Sequence, residues 1–183
     1  MPKKLINNLL IVIVVIMRIL AGVYIFFDVF WGYFLTTLFD YLDSYVFREK
    51  AKMSWHTYQF VDKAIDLIPY SIMLVVSIQS DVFLFLLILF IYRLVGEILF
   101  FTTKKTWYLV LFPNFFNVSF ALFIVLQEIG IDFRVVSLKH LIFLFYIYFF
   151  QLYTEIWLHY VWPQYIKEHG YPPLIKKLGY KKL

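Results

Sequence analysis

Four aspartates fall into two spaced pairs, Asp40 with Asp43 and Asp62 with Asp66. The first two are three residues apart and the second two are four apart, so on helices each pair shares one face. Carboxylates gathered this way repel one another unless they are protonated or neutralised. Lys63 and Arg48 can offset part of the charge, and one or two divalent cations would complete the neutralisation. An all-oxygen donor set selects hard ions such as Mg²⁺, Mn²⁺ or Ca²⁺. Two metals at such a site suit a diphosphate substrate and a phosphoryl-type displacement. The bland alternative is that the four residues merely flank a short loop.

The elements that must position them are hydrophobic helices. Of 183 residues, 63% are hydrophobic, 23% aromatic and 16% charged, against roughly 25% charged in a soluble domain. This predicts an all-α integral membrane protein forming a single transmembrane domain over 1–183. A spanning helix needs about 20 apolar residues, and six stretches qualify: 6–27, 30–47, 58–79, 82–101, 107–127 and 138–162. The first begins like a signal peptide, but its apolar run is too long, so it reads as a retained helix. Pro69 and Pro113 lie inside the third and fifth spans, where membrane helices tolerate proline, often with a kink.

Six spans put both termini on one side. That side carries Lys3, Lys4, Arg48, Lys50, Lys52, Lys104, Lys105, Lys167, Lys176, Lys177, Lys181 and Lys182. The other carries Arg134 and Lys139 with Asp28, Asp81, Glu128 and Asp132. The basic excess predicts a multi-pass protein of the cell membrane with both termini cytoplasmic. The tail 163–183 is expected to lie along the cytoplasmic surface, drawn by anionic lipid. All four aspartates then fall within roughly 12 Å of the cytoplasmic boundary at about 1.5 Å per residue. An ionisable residue inside a span is costly and marks function by default.

These residues resemble the CDP-alcohol phosphatidyltransferases. That family's signature reads D-x2-D-G-x2-A-R, a spacer, then G-x3-D-x3-D. Here Asp40-x2-Asp43-Ser44-x2-Phe47-Arg48 is followed by nine residues and then Tyr58-x3-Asp62-x3-Asp66. The four Asp and the Arg match; Ser44, Phe47 and Tyr58 replace Gly, Ala and Gly. Arg18, the pair Arg93 and Glu97, and Lys104-Lys105-Thr106 look like segments of the phosphatidylglycerophosphate synthase subgroup.

The resemblance implies six helices with the signature, residues 40–66, across the second and third. It implies that Asp40, Asp43, Asp62 and Asp66 bind Mg²⁺ or Mn²⁺, and that Asp43, Ser44 and Arg48 bind the CDP-linked donor. Asp66 would also be the catalytic base. A hydroxyl acceptor, held by Arg93, Lys104 and Lys105, would receive the substituted phosphate as CMP leaves. It further implies phospholipid biosynthesis at the cytoplasmic face, membrane lipids as surroundings and a homodimer. Bulky Phe47 and Tyr58 would narrow a nucleotide pocket, so a non-catalytic protein on the same scaffold is the alternative. A small cation transporter is a further one, though it would need acidic residues through the whole membrane depth.

Other polar residues have simpler explanations. Arg93 and Glu97 are four apart and can pair. Glu155 and His159, at the same spacing, can bind metal but more commonly make an interhelical hydrogen bond. His56 can contact substrate or water. Trp31, Trp107 and Trp162 near span ends form an interfacial belt. The absence of cysteine excludes disulfides and thiolate chemistry. The basic residues track topology, so nucleic-acid binding is not expected.

Overall fold

The structure, a computed structural model, describes residues 3–51, 53–131 and 138–169. Lys52, Asp132, Arg134 and the tail lysines Lys176, Lys177, Lys181 and Lys182 lie outside the described residues. What is described is helical, with no strand: α1 (Lys3–Tyr24), α2 (Val29–Tyr45), α3 (Trp55–Val76), α4 (Phe83–Thr103), α5 (Trp107–Leu111), α6 (Phe115–Glu128), α7 (Leu138–Ile156) and α8 (Trp162–His169). Each of the six apolar stretches therefore contains helix, the fifth in two pieces. Among the described residues, three helical segments are long and apolar enough to cross a membrane: Asn7–Tyr24, Phe83–Thr103 and Leu138–Tyr165. The chain is thus an all-α protein with membrane-spanning character.

Two compact units divide the chain. One contains the residues up to Ile72 together with those from Gln164; the other is Met73–Pro163.

In the first unit, α1 and α2 pack as a tight hairpin. Asp28 caps α2, its carboxylate accepting from the Trp31 amide at 2.9 Å, which satisfies one of the free N–H groups of a helix start. A Cβ on Gly32 would lie 2.6 Å from the Ile25 backbone, so only glycine permits this approach. α2 ends in a π-helical turn, Val46–Lys50, where the Ala51 amide reaches back to the Val46 carbonyl at 3.0 Å. α3 runs through Pro69 without interruption and packs there against Gly22 of α1.

In the second unit the fifth apolar stretch is not one kinked helix. It breaks at Phe112–Asn114 into α5 and α6. Pro113 has no N–H for the Leu109 carbonyl and disfavours helical geometry at Phe112. Asn114 then starts α6, its side chain accepting from the Asn117 amide at 3.1 Å. Aromatic rings fill the space around the break, with Phe115 stacked on Tyr148 at 4.4 Å and Phe90 edge-on to Phe116 at 5.4 Å. α7 ends in a second π-helical turn, Trp157–Val161, two residues before Pro163, whose ring would clash with the His159 carbonyl in a regular helix.

Candidate functional site: a carboxylate cluster around Arg18

Within the first unit, α2 contributes Asp40 and Asp43, and α3 contributes Asp62 and Asp66. The helical spacing turns both pairs toward α1, and Arg18 of α1 lies between them, 1% exposed. One guanidinium nitrogen, Nη1, donates to Asp43 and, at 3.0 Å, to Asp62. The other, Nη2, donates to Asp40 at 2.7 Å and to Asp66. Each nitrogen thus clasps one carboxylate from each helix, using the planar fork that suits arginine to this task. Lys63 Nζ closes the α3 side, 2.7 Å from Asp62 and 2.9 Å from Asp66.

Asp43, Asp62 and Asp66 are buried, whereas the Asp40 side chain is 46% exposed. The cluster therefore opens on the Asp40 side. Oxygens of Asp40, Asp62 and Asp66 lie within 4.8 Å of one another. Hard divalent cations take oxygen ligands at about 2.0–2.6 Å, so two ligands of one ion can be up to roughly 4–5 Å apart, and the donor set fits such an ion in both chemistry and spacing. Gln59, one turn before Asp62 on the same helix face, is also buried, and its amide oxygen has no hydrogen-bond partner.

The residues that replace the small positions of the signature are packed together. Phe47 is fully buried in the π turn, and its ring meets that of Tyr58 edge-on at 6.2 Å. The Tyr58 hydroxyl donates to Asp43 at 3.4 Å. Ser44 donates to the Tyr41 carbonyl at 2.9 Å. The Arg48 guanidinium lies 4.6 Å from the Trp55 ring centroid, a cation–π arrangement. His56 is exposed.

The acceptor-binding candidates lie in the second unit and are not together. Lys104 and Lys105 are exposed beyond the end of α4, whereas Arg93 is eleven residues earlier, about 16 Å along the axis, and 2% exposed. Arg93 Nε pairs with Glu97 at 3.0 Å. Its Nη1 donates to the Phe112 carbonyl at 2.8 Å and to the Leu109 carbonyl at 3.4 Å. It thereby supplies the Leu109 carbonyl with the donor that Pro113 lacks. Glu155 accepts from the Asn114 amide at 3.0 Å and from Gln151 at 3.2 Å, and its other oxygen lies 3.0 Å from His159. Glu155 thus bonds across to the start of α6 through the Asn114 amide and along its own helical run to His159. These groups brace the broken helix, whose free backbone groups would each cost several kcal/mol in hydrocarbon.

Three residues of the first unit matter more than their spacing reveals. Arg18 is marked in the sequence only by the resemblance, and its central place depends on how α1 packs against α2 and α3. Tyr58 reads as an intruding bulk, not as a donor to Asp43. Gln59 carries no sequence signal beyond its helical phase with Asp62. No protein-family model, curated protein or solved structure matches this chain.

Proposed function

We propose that the chain is a membrane-bound transferase, a divergent relative of the CDP-alcohol phosphatidyltransferases closest in pattern to phosphatidylglycerophosphate synthases. In this reading it crosses the cell membrane six times with both termini and the site cytoplasmic. It moves a substituted phosphate from a CDP-linked lipid or other CDP-alcohol to a hydroxyl acceptor in phospholipid synthesis. One observation carries it: all four aspartates of the signature converge, with three offering ligand oxygens within 4.8 Å.

Asp40, Asp62 and Asp66 would hold Mg²⁺ or Mn²⁺, which when bound neutralises diphosphate charge. Asp66 takes the proton from the acceptor hydroxyl. That oxygen bonds to the β-phosphorus while the bond from this phosphorus to the CMP oxygen breaks, and CMP leaves with the electron pair. Asp66 now accepts from Arg18 on one oxygen and from Lys63 on the other. It must exchange one of these partners for the acceptor. Lys63 stays beside the reacting group as a fixed positive charge.

Purified protein given CDP-diacylglycerol, Mn²⁺ and a panel of polyols and polyol phosphates should release CMP. Asp66→Asn should reduce that release by about 10²–10⁴-fold, the usual contribution of a general base. Release that survives Asp66→Asn overturns the assignment of the base. A second reading, a non-catalytic protein on the same scaffold, is favoured by the Phe47–Tyr58 contact. It predicts no CMP release with any acceptor.

A further inference from the structure

We propose that the carboxylate cluster takes one divalent cation, not two, because Arg18 is its built-in second cation. This rests on the metal reading above and concerns what the chain's own residues leave for an ion.

The oxygens are largely committed. Seven of the eight carboxylate oxygens accept a hydrogen bond from Arg18, Lys63 or Tyr58. The remaining oxygen belongs to Asp40, the exposed member, so an arriving ion meets the cluster there. Asp43 differs from the other three. It is fully buried, bonded to Arg18 through one oxygen and to Tyr58 through the other, and it stands outside the trio whose oxygens converge. It serves as the anchor of Arg18 instead of a metal ligand.

Charge leads to the same stoichiometry. Four carboxylates against the two cations Arg18 and Lys63 leave two formal negative charges, which one divalent ion cancels. A second ion would put two excess positive charges among buried groups, at a steep cost. Arginine cannot relieve this by losing its proton, and it has no lone pair with which to join a metal's ligands. The Gln59 amide oxygen, buried and without a hydrogen-bond partner one turn before Asp62, is a neutral donor that would add no charge to the cluster.

The test is the number of Mn²⁺ ions bound by the full chain in detergent without nucleotide, read by electron paramagnetic resonance of free Mn²⁺. Wild type should saturate at one ion per chain. Arg18→Lys, which keeps one fixed positive charge, should also bind one, and Arg18→Gln should admit a second. Asp43→Asn checks the anchor role independently should Arg18→Gln not fold. It should still bind one ion, with affinity changed by less than about tenfold, whereas Asp62→Asn should lose it. Two ions per wild-type chain, a single ion of unchanged affinity in Arg18→Gln, or loss of the ion in Asp43→Asn would each overturn the proposal. Two ions would do so while leaving the metal reading intact; no bound Mn²⁺ in wild type would end both.

Discussion

The two units each bury an arginine among carboxylates, but the arithmetic around the two arginines differs. Arg18 meets four aspartates and, with Lys63, leaves the group two charges short of neutral. One of its aspartates is half exposed. Arg93 divides its donors between Glu97, Glu155 and the carbonyls of a broken helix. In the second unit the buried charge maintains backbone geometry. In the first it is left unbalanced and reaches the surface at Asp40. A buried charge cluster therefore becomes a candidate for chemistry through its imbalance and accessibility, not through burial alone.

Truncating either arginine should have the largest effect, and metal separates the two. Arg18→Ala leaves the carboxylates opposed by Lys63 alone, and Arg93→Ala strands the Leu109 and Phe112 carbonyls. Breaking a buried ion pair costs about 3–5 kcal/mol, so both should lower the melting temperature in detergent by roughly 10 °C at about 2–4 °C per kcal/mol. Mn²⁺ should restore part of the loss in Arg18→Ala and none in Arg93→Ala. Equal rescue of both would erase the distinction.

Steric changes come next. A Cβ on Gly96 would lie 2.3 Å from Phe112 Cβ, beside the break, and one on Gly32 would meet the Ile25 backbone. Forcing extra atoms into packed sites costs about 1–3 kcal/mol, so Gly96→Ala and Gly32→Ala should each lower the melting temperature by a few degrees. Gly32→Ala should also weaken Mn²⁺ binding in the titration above, because it shifts α1 and with it Arg18, whereas Gly96→Ala should leave binding unchanged. The smallest effect belongs to the bond between Ser119 and Tyr148, 2.6 Å between helices. Tyr148→Phe should cost about 0.6 kcal/mol, the average for interhelical hydrogen bonds in membranes, and a value several times larger would mean that the second unit is braced elsewhere than at Arg93.

The chain pattern reveals the first unit's acidic pairs because three- and four-residue spacings are local facts about a helix. It reveals Arg93 with Glu97, and Glu155 with His159, for the same reason. Packing between helices is not local, so the position of Arg18, 22 residues from Asp40 and 48 from Asp66, does not follow from any pattern. The break in the fifth span was readable in principle. Pro113 followed by Asn114 is a helix stop and a helix cap in succession, but the apolar run on both sides masks it. The replacement of small signature residues by Phe47 and Tyr58 is plain in the sequence, whereas their packing against each other depends on the π turn that rotates Phe47 inward.

We propose the Arg18 cluster as a ligand site and the Arg93 network as a brace. The most direct test measures thermal melting in detergent with and without saturating Mn²⁺ and CDP, for wild type, Asp62→Asn and Glu155→Gln. At 100 times the dissociation constant a ligand adds about 2.7 kcal/mol, a rise of roughly 5–10 °C for a chain of this size. Wild type and Glu155→Gln should both gain that rise, the latter from a lower baseline, and Asp62→Asn should gain none. A rise that persists in Asp62→Asn, or disappears in Glu155→Gln, would overturn the assignment of the ligand site to the Arg18 cluster.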